Sequence, residues 1–321
     1  MKLLKTLTLG AAALLTAGSV FAQGSYPDKP LRIIVPFTPG GIVDNIARIV
    51  GEQLQTRLGQ TVIVENKTGA GGAIGTDAAL RAEPDGYTLL CVSPGHAVLP
   101  SLVKAAKWNP TTDFRGIAGI GIVPNVVVVN ASVPVNNLQE LLTRAKTQNV
   151  TYGTAGNGTS NHLSGELLAQ MSGVKLTHIP YKGQPEAVND LLGGNIEMMP
   201  LTAAIAKGHM ATGKLKGLAV TTAQRAKALP DLPTVAEAVN LPDYAVGTWF
   251  GLVVSSKVPD PIIDRLAKEV AAVLAMPDVQ AKLTRMGMEL PPQSPAEFDR
   301  YVAAEFAKWA KVMKTAGIEP N

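Results

Sequence analysis

The stretch VPFTPGGIVDNIAR, residues 35–48, connects a strand pattern to a helix pattern through a glycine-rich turn. The apolar run Leu31–Val35 at its start predicts a buried strand. Beyond the turn one face of a 3.6-residue period is apolar, and Gly59 is typical of a residue that ends a helix. A strand, a glycine-rich turn and a helix in this order also form phosphate-binding loops, in which the helix N-terminus faces the anion. The stretch therefore predicts an α/β fold with an anion site at this turn.

The glycine-rich stretches do not match nucleotide-binding motifs. A Walker A loop needs a lysine after its glycines, and TPGGIVDN, residues 38–45, has none. GAGGAIG, residues 69–75, places Ile74 where the third glycine of a dinucleotide fingerprint belongs. We therefore expect a different anion and no cofactor.

A second stretch repeats the arrangement about 120 residues later. VTYGTAGNGTSNHLSGELLAQM, residues 150–171, again has the pattern of a strand, a glycine-rich loop and an amphipathic helix. Neither loop contains Arg or Lys, so backbone N–H groups with Thr and Asn side chains are expected to hold the anion. Such neutral donors suit a carboxylate that must also be released. We expect each loop to belong to its own lobe and both to face one cleft.

Residues 1–22 are typical of a Sec signal peptide. Lys2 and Lys5 precede a largely apolar stretch, and small residues indicate cleavage after Ala22. We therefore expect export to the periplasm and a mature chain of 299 residues, long enough for two domains. The single cysteine, Cys91, lies in an apolar run and is predicted to be buried.

Charge and hydropathy argue against two classes of partner. The formal net charge of +4 falls to about +2 without the leader, and no basic cluster is interleaved with aromatics, so nucleic acid is not expected. The longest apolar run after the leader, Ile117–Val129, is interrupted by Pro124 and Asn125 and is too short to span a bilayer. The mature protein is therefore not expected to be embedded in a membrane.

The sequence offers no positive evidence for catalysis or for a metal site. GTSNH, residues 158–162, nearly matches a hydrolase nucleophile elbow, but Ser160 and His162 at i and i+2 do not face each other on a helix. The four histidines are scattered and lack metal-ligand spacing. Asp44, in the first turn of its helix, has two equally supported roles: binding a donor group of the ligand, or stabilising the helix N-terminus.

Nine strand-like runs alternate with helical patterns, which favours an α/β fold with mostly parallel sheets. The C-terminal part differs, because residues 261–283 and 294–317 are predicted to be helical. Ser294, Pro295 and Glu297 form a capping-box pattern at the start of the last helix. Its aromatic stripe is predicted to pack in the core.

The sequence resembles the Bug-type extracytoplasmic solute receptors, the binding-protein component of tripartite tricarboxylate transporters. The resemblance covers essentially the whole mature chain. It is carried by YPDKPLRIIVPFTPGGIVDNIAR, GQTVIVENKTGAGGAIGTDAALRAEPDGYTLL, YGTAGNGTSNHLSGELL, IPYKGQPEAVNDLLGGNIEMM and LPDLPTVAEAVNLPDYAVGTWFGLVV, in this order and spacing.

The resemblance implies a two-lobed periplasmic-binding-protein fold of type II, in which each lobe has a mostly parallel sheet flanked by helices. The first lobe would contain residues 24–126 plus 249–321, and the second would contain residues 127–248. The chain would cross between them near Val126–Asn130 and Thr248–Val254. A small carboxylate would lie in the cleft, and the lobes would close over it and present it to a membrane permease.

The ligand-binding residues implied by the resemblance come from the two glycine-rich loops and from three further segments. SPGHAVLPSL, residues 93–102, has Leu99 where the family pattern has Asn, which removes an amide from the cleft. Trp249 is expected in the core or as a wall of the pocket. The implied ligand-binding set is Phe37, Thr38, Gly40, Gly41, Asp44, Ser93, His96, Thr154, Asn157, Gly158, Thr159, His162, Tyr181, Thr202 and Ala203.

Two alternatives to a transport receptor stay open at this point. A periplasmic enzyme on the same fold would need a base or nucleophile in the cleft, and Asp44, Ser160 and His162 are the candidates. A ligand sensor for a signalling receptor would have the same sequence features. A monomer is expected in each case, and the sequence does not name the ligand.

Overall fold

The computed structural model describes residues 26–181, 183–289 and 293–315. The predicted signal peptide, residues 1–22, lies outside the described residues. The strands are β1 (Leu31–Val35), β2 (Val62–Asn66), β3 (Thr88–Val92), β4 (Phe114–Asn130), β5 (Val150–Thr154), β6 (Leu176–Pro180), β7 (Met198–Thr202), β8 (Leu215–Val220) and β9 (Gly247–Ser255). The helices are α1 (Ile42–Leu58), α2 (Ala73–Leu80), α3 (Gly95–Val98), α4 (Leu138–Ala145), α5 (Ser160–Ser172), α6 (Gln184–Gly193), α7 (Ala203–Ala211), α8 (Val235–Val239), α9 (Asp260–Leu274), α10 (Pro277–Arg285) and α11 (Pro295–Thr315).

The strands form two sheets that share β4. The first sheet has the order β2-β1-β3-β9-β4, and the second continues from β4 through β7, β5 and β6, with β8 on the other side of β4. Helices cover both faces of each sheet, and four clusters of buried apolar side chains fill the layers between them. The predicted two-lobed α/β fold is therefore confirmed.

Strand direction is more mixed than the sequence predicts. The pairs β1–β2, β1–β3, β5–β6 and β5–β7 are parallel, as strand–helix alternation requires. The pairs that β4 and β9 make are antiparallel. The reason is topological, because β4 carries the chain from the first sheet to the second and β9 returns in the opposite direction.

The change of sheet falls within a single strand. Pro124 is the last residue of β4 to pair with β9, and Asn125 is the first to pair with β7. The sequence pattern predicts a strand only from Val126 onward, because Pro124 interrupts the apolar run. A proline is tolerated here because it lies where one set of ladder hydrogen bonds ends and the next begins.

The last helix spans both cores. Ser294 and Glu297 form the predicted capping box, with the Ser294 N–H donating to Glu297 Oε2 at 2.9 Å. Phe298 packs against the first sheet, whereas Trp309 is fully buried in a cluster of the second sheet. The end of α11 therefore contributes to the core of the second sheet, whereas its start contributes to the core of the first.

Two other expectations concern single features. Cys91 is fully buried, as predicted, and burial raises the pKa of its thiol to about 12. Within the described part of the chain, no helix has both the length and the hydrophobicity needed to cross a bilayer.

Candidate functional site

A cavity of about 460 Å³ lies where the two sheets meet. Loops that follow β1, β3, β5 and β6 line it, together with the end of β7 and the two crossing strands β4 and β9. Four helices begin at its wall, since Ile42, Ser160 and Gln184 are first residues of α1, α5 and α6, and Thr202 is the N-cap of α7. The first amides of a helix have no partner within the helix, so the starts of α1 and α5 can supply N–H donors to this wall.

The side chains that line the cavity are all uncharged. They are Phe37, Gly41, Ile42, Val43, Gly71, Ser93, Pro94, Gly95, Leu99, Val123, Ala155, Asn157, Gly158, Thr159, Ser160, Asn161, Gln184, Thr202, Thr248 and Phe250. An anion in this cavity would be held by hydrogen bonds and helix dipoles.

The first glycine-rich loop is shaped by backbone conformation. Gly40 has φ +81°, a left-handed conformation that glycine adopts without strain. Gly41 is the N-cap of α1 and makes no side-chain cap hydrogen bond, so the first-turn amides of Ile42 and Val43 are left for a ligand.

Asp44 holds this loop from behind. Its carboxylate accepts from the Gly40 N–H at 2.8 Å, from Arg48 at 2.9 Å and from Asn66 Nδ2 at 2.9 Å. The ion pair with Arg48 lowers the pKa of Asp44 to about 2. Asn66 also donates to the Phe37 carbonyl at 3.0 Å. The oxygens of Asp44 are engaged by the protein and Asp44 is absent from the cavity wall, which favours the structural one of its two possible roles.

The second glycine-rich loop is held by the start of α5. Thr159, its N-cap, accepts from the His162 N–H and donates to the Gly156 carbonyl at 2.7 Å. Gly156 and Gly158 both have positive φ, a conformation that glycine adopts without strain, and Gly158 lines the cavity. Ser160 and Asn161, the first two residues of α5, line the cavity, and the first turn of this helix contains no acidic residue.

A pair of histidines supports this loop on its buried side. His162 Nδ1 accepts from the Gly158 N–H at 3.2 Å, so its proton is on Nε2, which lies 3.7 Å from Glu166 Oε1. The His178 ring lies 4.3 Å from the His162 ring and bonds to Thr154 Oγ1 at 2.7 Å. Burial lowers the pKa of each histidine to about 4.

The floor of the cavity contains two hydroxyl groups in contact. Ser160 Oγ lies 2.5 Å from Thr248 Oγ1 and accepts from Asn125 Nδ2 at 3.1 Å. One hydroxyl proton is used between the two oxygens, which leaves the other proton for a ligand. Asn125 and Thr248 lie on the two crossing strands, so this group ties the second loop to the region where the chain changes sheet.

Amides complete the wall on the side of the second sheet. Gln184 Nε2 donates to Thr202 Oγ1 at 2.8 Å, and it lies 3.4 Å from Asn161 Oδ1. Asn161 Nδ2 in turn donates to the Pro200 carbonyl. These bonds fix the starts of α5, α6 and α7 relative to one another.

The cavity wall includes seven of the residues predicted for the site: Phe37, Gly41, Ser93, Asn157, Gly158, Thr159 and Thr202. Thr38, Gly40, Asp44, Thr154 and His162 belong to the loops or their supports but are absent from the wall. Sequence reasoning missed Gln184 and Thr248 as site residues. It placed Asn161 and Ser160 in the second glycine-rich loop, residues 153–162, without naming either as a ligand contact. No local signal marks Gln184 or Thr248, since their places depend on contacts distant in sequence.

Three predicted residues point elsewhere. His96 is 4% exposed and packs between Trp108 and Phe114, so it belongs to the core of the first sheet. The Tyr181 hydroxyl donates to Asp190 at 2.7 Å. Ala203 is buried and lines a separate cavity of about 320 Å³. Trp249 is a core residue, with its Nε1 donating to Glu305 at 3.3 Å.

The sequence predicts neither a metal site nor a catalytic group. Residues 26–181, 183–289 and 293–315 contain no group of three or more His, Cys, Asp or Glu side chains that could hold a metal ion. Neither Asp44 nor His162 reaches the cavity wall.

Comparisons of the sequence and of the structure with known proteins point to the same family. The profile of TctC, the tripartite tricarboxylate transporter family receptor, matches residues 46–318. The chain is 32% identical to Protein BugT of Bordetella pertussis, over 99% of both chains. The structure of the periplasmic binding protein BugD superposes with a TM-score of 0.76 at 37% identity, covering 92% of this chain and 100% of that one. The structure of Rpa4515 from R. palustris with adipate gives a TM-score of 0.77 at 35% identity, again with 92% and 100% coverage.

The family model, the sequence relative and the solved structures agree. The chain therefore belongs to the tripartite tricarboxylate transporter receptor family, a family of solute-binding receptors.

Proposed function

We propose that this receptor captures a small organic carboxylate through backbone N–H groups of its two glycine-rich loops. The observation that carries the proposal is the uncharged cavity at which α1, α5, α6 and α7 all begin. Unpaired amides and the positive ends of helix dipoles favour an anion without a cationic side chain. The adipate bound to Rpa4515 is such an anion.

The receptor works in the periplasm as part of a transport system. The leader pattern in residues 1–22 supports export to the periplasm. The two crossing strands β4 and β9 form a hinge on which the lobes close over the ligand. The closed receptor, a monomer, then delivers the carboxylate to a cognate membrane permease.

The first test is thermal unfolding of the mature protein with a panel of carboxylates, amino acids, sugars and nucleotides. A ligand at about 100 times its Kd stabilises by about 2.7 kcal/mol, which is a shift of a few degrees. We expect stabilisation by one class of carboxylates. Stabilisation by nucleotides or sugars alone would contradict the proposal.

The alternative of a periplasmic enzyme is less well supported by the contacts. Asp44 is engaged by Gly40 and Arg48, and His162 Nδ1 is engaged by Gly158. Ser160 bonds to Thr248 and Asn125, and neither residue is a base. We expect NMR spectra of a stabilising carboxylate to stay unchanged after prolonged incubation with the protein. Conversion of the ligand would favour the enzyme.

A ligand sensor would have the same cavity as a transport receptor. The two are distinguished by the membrane protein that the ligand-loaded form binds. We expect the ligand-loaded protein to retain a transporter subunit from solubilised membranes of its source. Retention of a signalling receptor in its place would contradict delivery and leave carboxylate capture intact.

A further inference from the structure

The two walls of the cavity differ in chemistry. The wall on the side of the first sheet is formed mainly by apolar side chains: Phe37, Ile42, Val43, Leu99, Val123 and Phe250. The wall on the side of the second sheet carries the amides of Asn157, Asn161 and Gln184 and the hydroxyl of Thr202. Among the described residues of the apolar wall, one side-chain hydroxyl, that of Ser93, is not paired with another residue.

Leu99 is held firmly in the apolar wall. It is 6% exposed. A Cβ placed on Gly71 would lie 3.2 Å from Leu99 Cδ2, and one placed on Gly95 would lie 3.7 Å from Leu99 Cδ1. These two glycines therefore leave the leucine methyl groups in place at the cavity and bring no polar side chain of their own. A ligand hydroxyl pressed against the Leu99 methyl groups would lose its bonds to water without a replacement.

The helix starts on the two sides also differ. The first turn of α5 contains no acidic residue, whereas the first turn of α1 contains Asp44, a carboxylate that stays ionised because Arg48 pairs with it. A ligand carboxylate is attracted most strongly where no like charge lies nearby. The start of α5 is therefore expected to attract the carboxylate more strongly than the start of α1.

We infer that the ligand is a carboxylate with a hydrocarbon body, either alkyl or aromatic, and that Leu99 is a specificity-determining residue against hydroxylated acids. The inference rests on the proposed function and narrows its ligand class. Of the two helix starts that hold the carboxylate, α5 contributes more, and the carbon chain lies against Leu99, Phe37 and Phe250.

The test compares adipate with galactarate by titration calorimetry. Both have six carbons and two terminal carboxylates, and galactarate adds four hydroxyl groups. We expect adipate to bind at least ten-fold more tightly. Leu99→Asn, which replaces the methyl groups with an amide of similar size, is expected to reduce this ratio several-fold. Ile74→Asn is the matched control, because Ile74 is 54% exposed and absent from the cavity wall, and it is expected to keep the ratio.

A second variant covers the case in which Leu99→Asn does not fold. Val123→Thr adds one hydroxyl to the same wall with little change of shape. It too is expected to reduce the ratio of adipate affinity to galactarate affinity. Galactarate binding as tightly as adipate to the wild-type protein would overturn the inference and leave the proposed function standing. An unchanged ratio in every folded wall variant would overturn the role of Leu99. Failure of every carboxylate to bind would overturn the proposed function itself.

Discussion

Asp44 illustrates how a residue can serve the site without facing it. The sequence marks it because it lies in the first turn of a helix after a glycine-rich loop, and both of its possible roles fit that position. The structure distinguishes them by partners, since its oxygens bond to Gly40, Arg48 and Asn66. Asn66 lies 22 residues away along the chain, which is why no local pattern could assign the role.

Asp44→Asn is expected to destabilise the protein by about 1–2 kcal/mol at neutral pH, a value reduced because Arg48 is half exposed. The folded pKa of Asp44, about 2, lies below its unfolded value. Its contribution is therefore complete above about pH 4 and is lost as the pH falls toward 2. Urea unfolding of both proteins at pH 7, 4 and 3 measures the difference.

The matched control for this prediction is Asp77→Asn. Asp77 also pairs with an arginine four residues on, Arg81, but both side chains are at least half exposed, so little change is expected. A stability difference for Asp44→Asn that is the same at pH 7 and pH 3 would contradict the account.

Gly41→Leu is expected to remove carboxylate binding and leave the fold intact. Gly41 has φ −72°, and an added Cβ would lie 3.4 Å from the Thr38 carbonyl, so a side chain fits locally. That side chain would occupy the cavity where the anion belongs. Gly208→Leu, on the exposed surface of α7, is the control. Calorimetry showing wild-type affinity in Gly41→Leu would exclude the first loop from the site.

At the scale of elements, α5 connects the anion site to its support. Thr159 caps the helix, His162 holds Gly158, and Ser160 reaches both crossing strands. A strand, a glycine-rich loop and a helix are visible in the sequence, and the structure has them where they are predicted. The partners of the helix are not visible, because Thr248 lies 88 residues from Ser160.

Thr159→Ala is expected to reduce both the magnitude of the free energy of ligand binding and the free energy of unfolding by about 1 kcal/mol. This is the usual contribution of a helix cap or of one hydrogen bond. Thr159→Ser keeps the cap and is expected to retain the ligand affinity and the stability of the wild-type protein. Calorimetry and urea unfolding provide the two measurements. Full affinity in Thr159→Ala would show that the cap does not position the loop.

The histidine pair behind α5 predicts a pH dependence of stability. The folded pKa of His162 and of His178, about 4, lies below the unfolded value of about 6.5. The stability of the neutral pair is therefore complete above pH 6.5 and declines as the pH falls toward 4. His162→Gln keeps an acceptor for the Gly158 N–H and removes one titrating group, so the decline of Tm over this range should be smaller. The control is His209→Gln on α7. An unchanged slope in His162→Gln would refute the assignment.

At the scale of the whole molecule, two sheets share one strand, and this arrangement makes the site. The sequence predicts the α/β class, nine strand runs and both glycine-rich loops from local patterns. It does not predict that β4 begins at Phe114 and passes through Pro124, because proline reads locally as a break. It also does not predict that α11 enters both cores, since Phe298 and Trp309 have the same helical pattern.

The same limit applies to the residues predicted for the site. Gly41 and Thr159 line the cavity, and both lie where a loop and a helix start are adjacent in the chain. His96 and Tyr181 do not line the cavity, because the directions of their side chains depend on packing against Trp108 and on bonding to Asp190. A side chain's direction within a turn follows tertiary contacts that a local pattern does not contain.

The central claim is that backbone amides at the starts of α1 and α5 hold the carboxylate. The most direct measurement is a ¹⁵N NMR titration of the mature protein with adipate, following the amides of Ile42, Val43, Ser160 and Asn161. We predict that these amides show the largest shifts, that the shifts saturate together, and that they are lost in Gly41→Leu. Saturable binding with the largest shifts outside both glycine-rich loops would contradict the account.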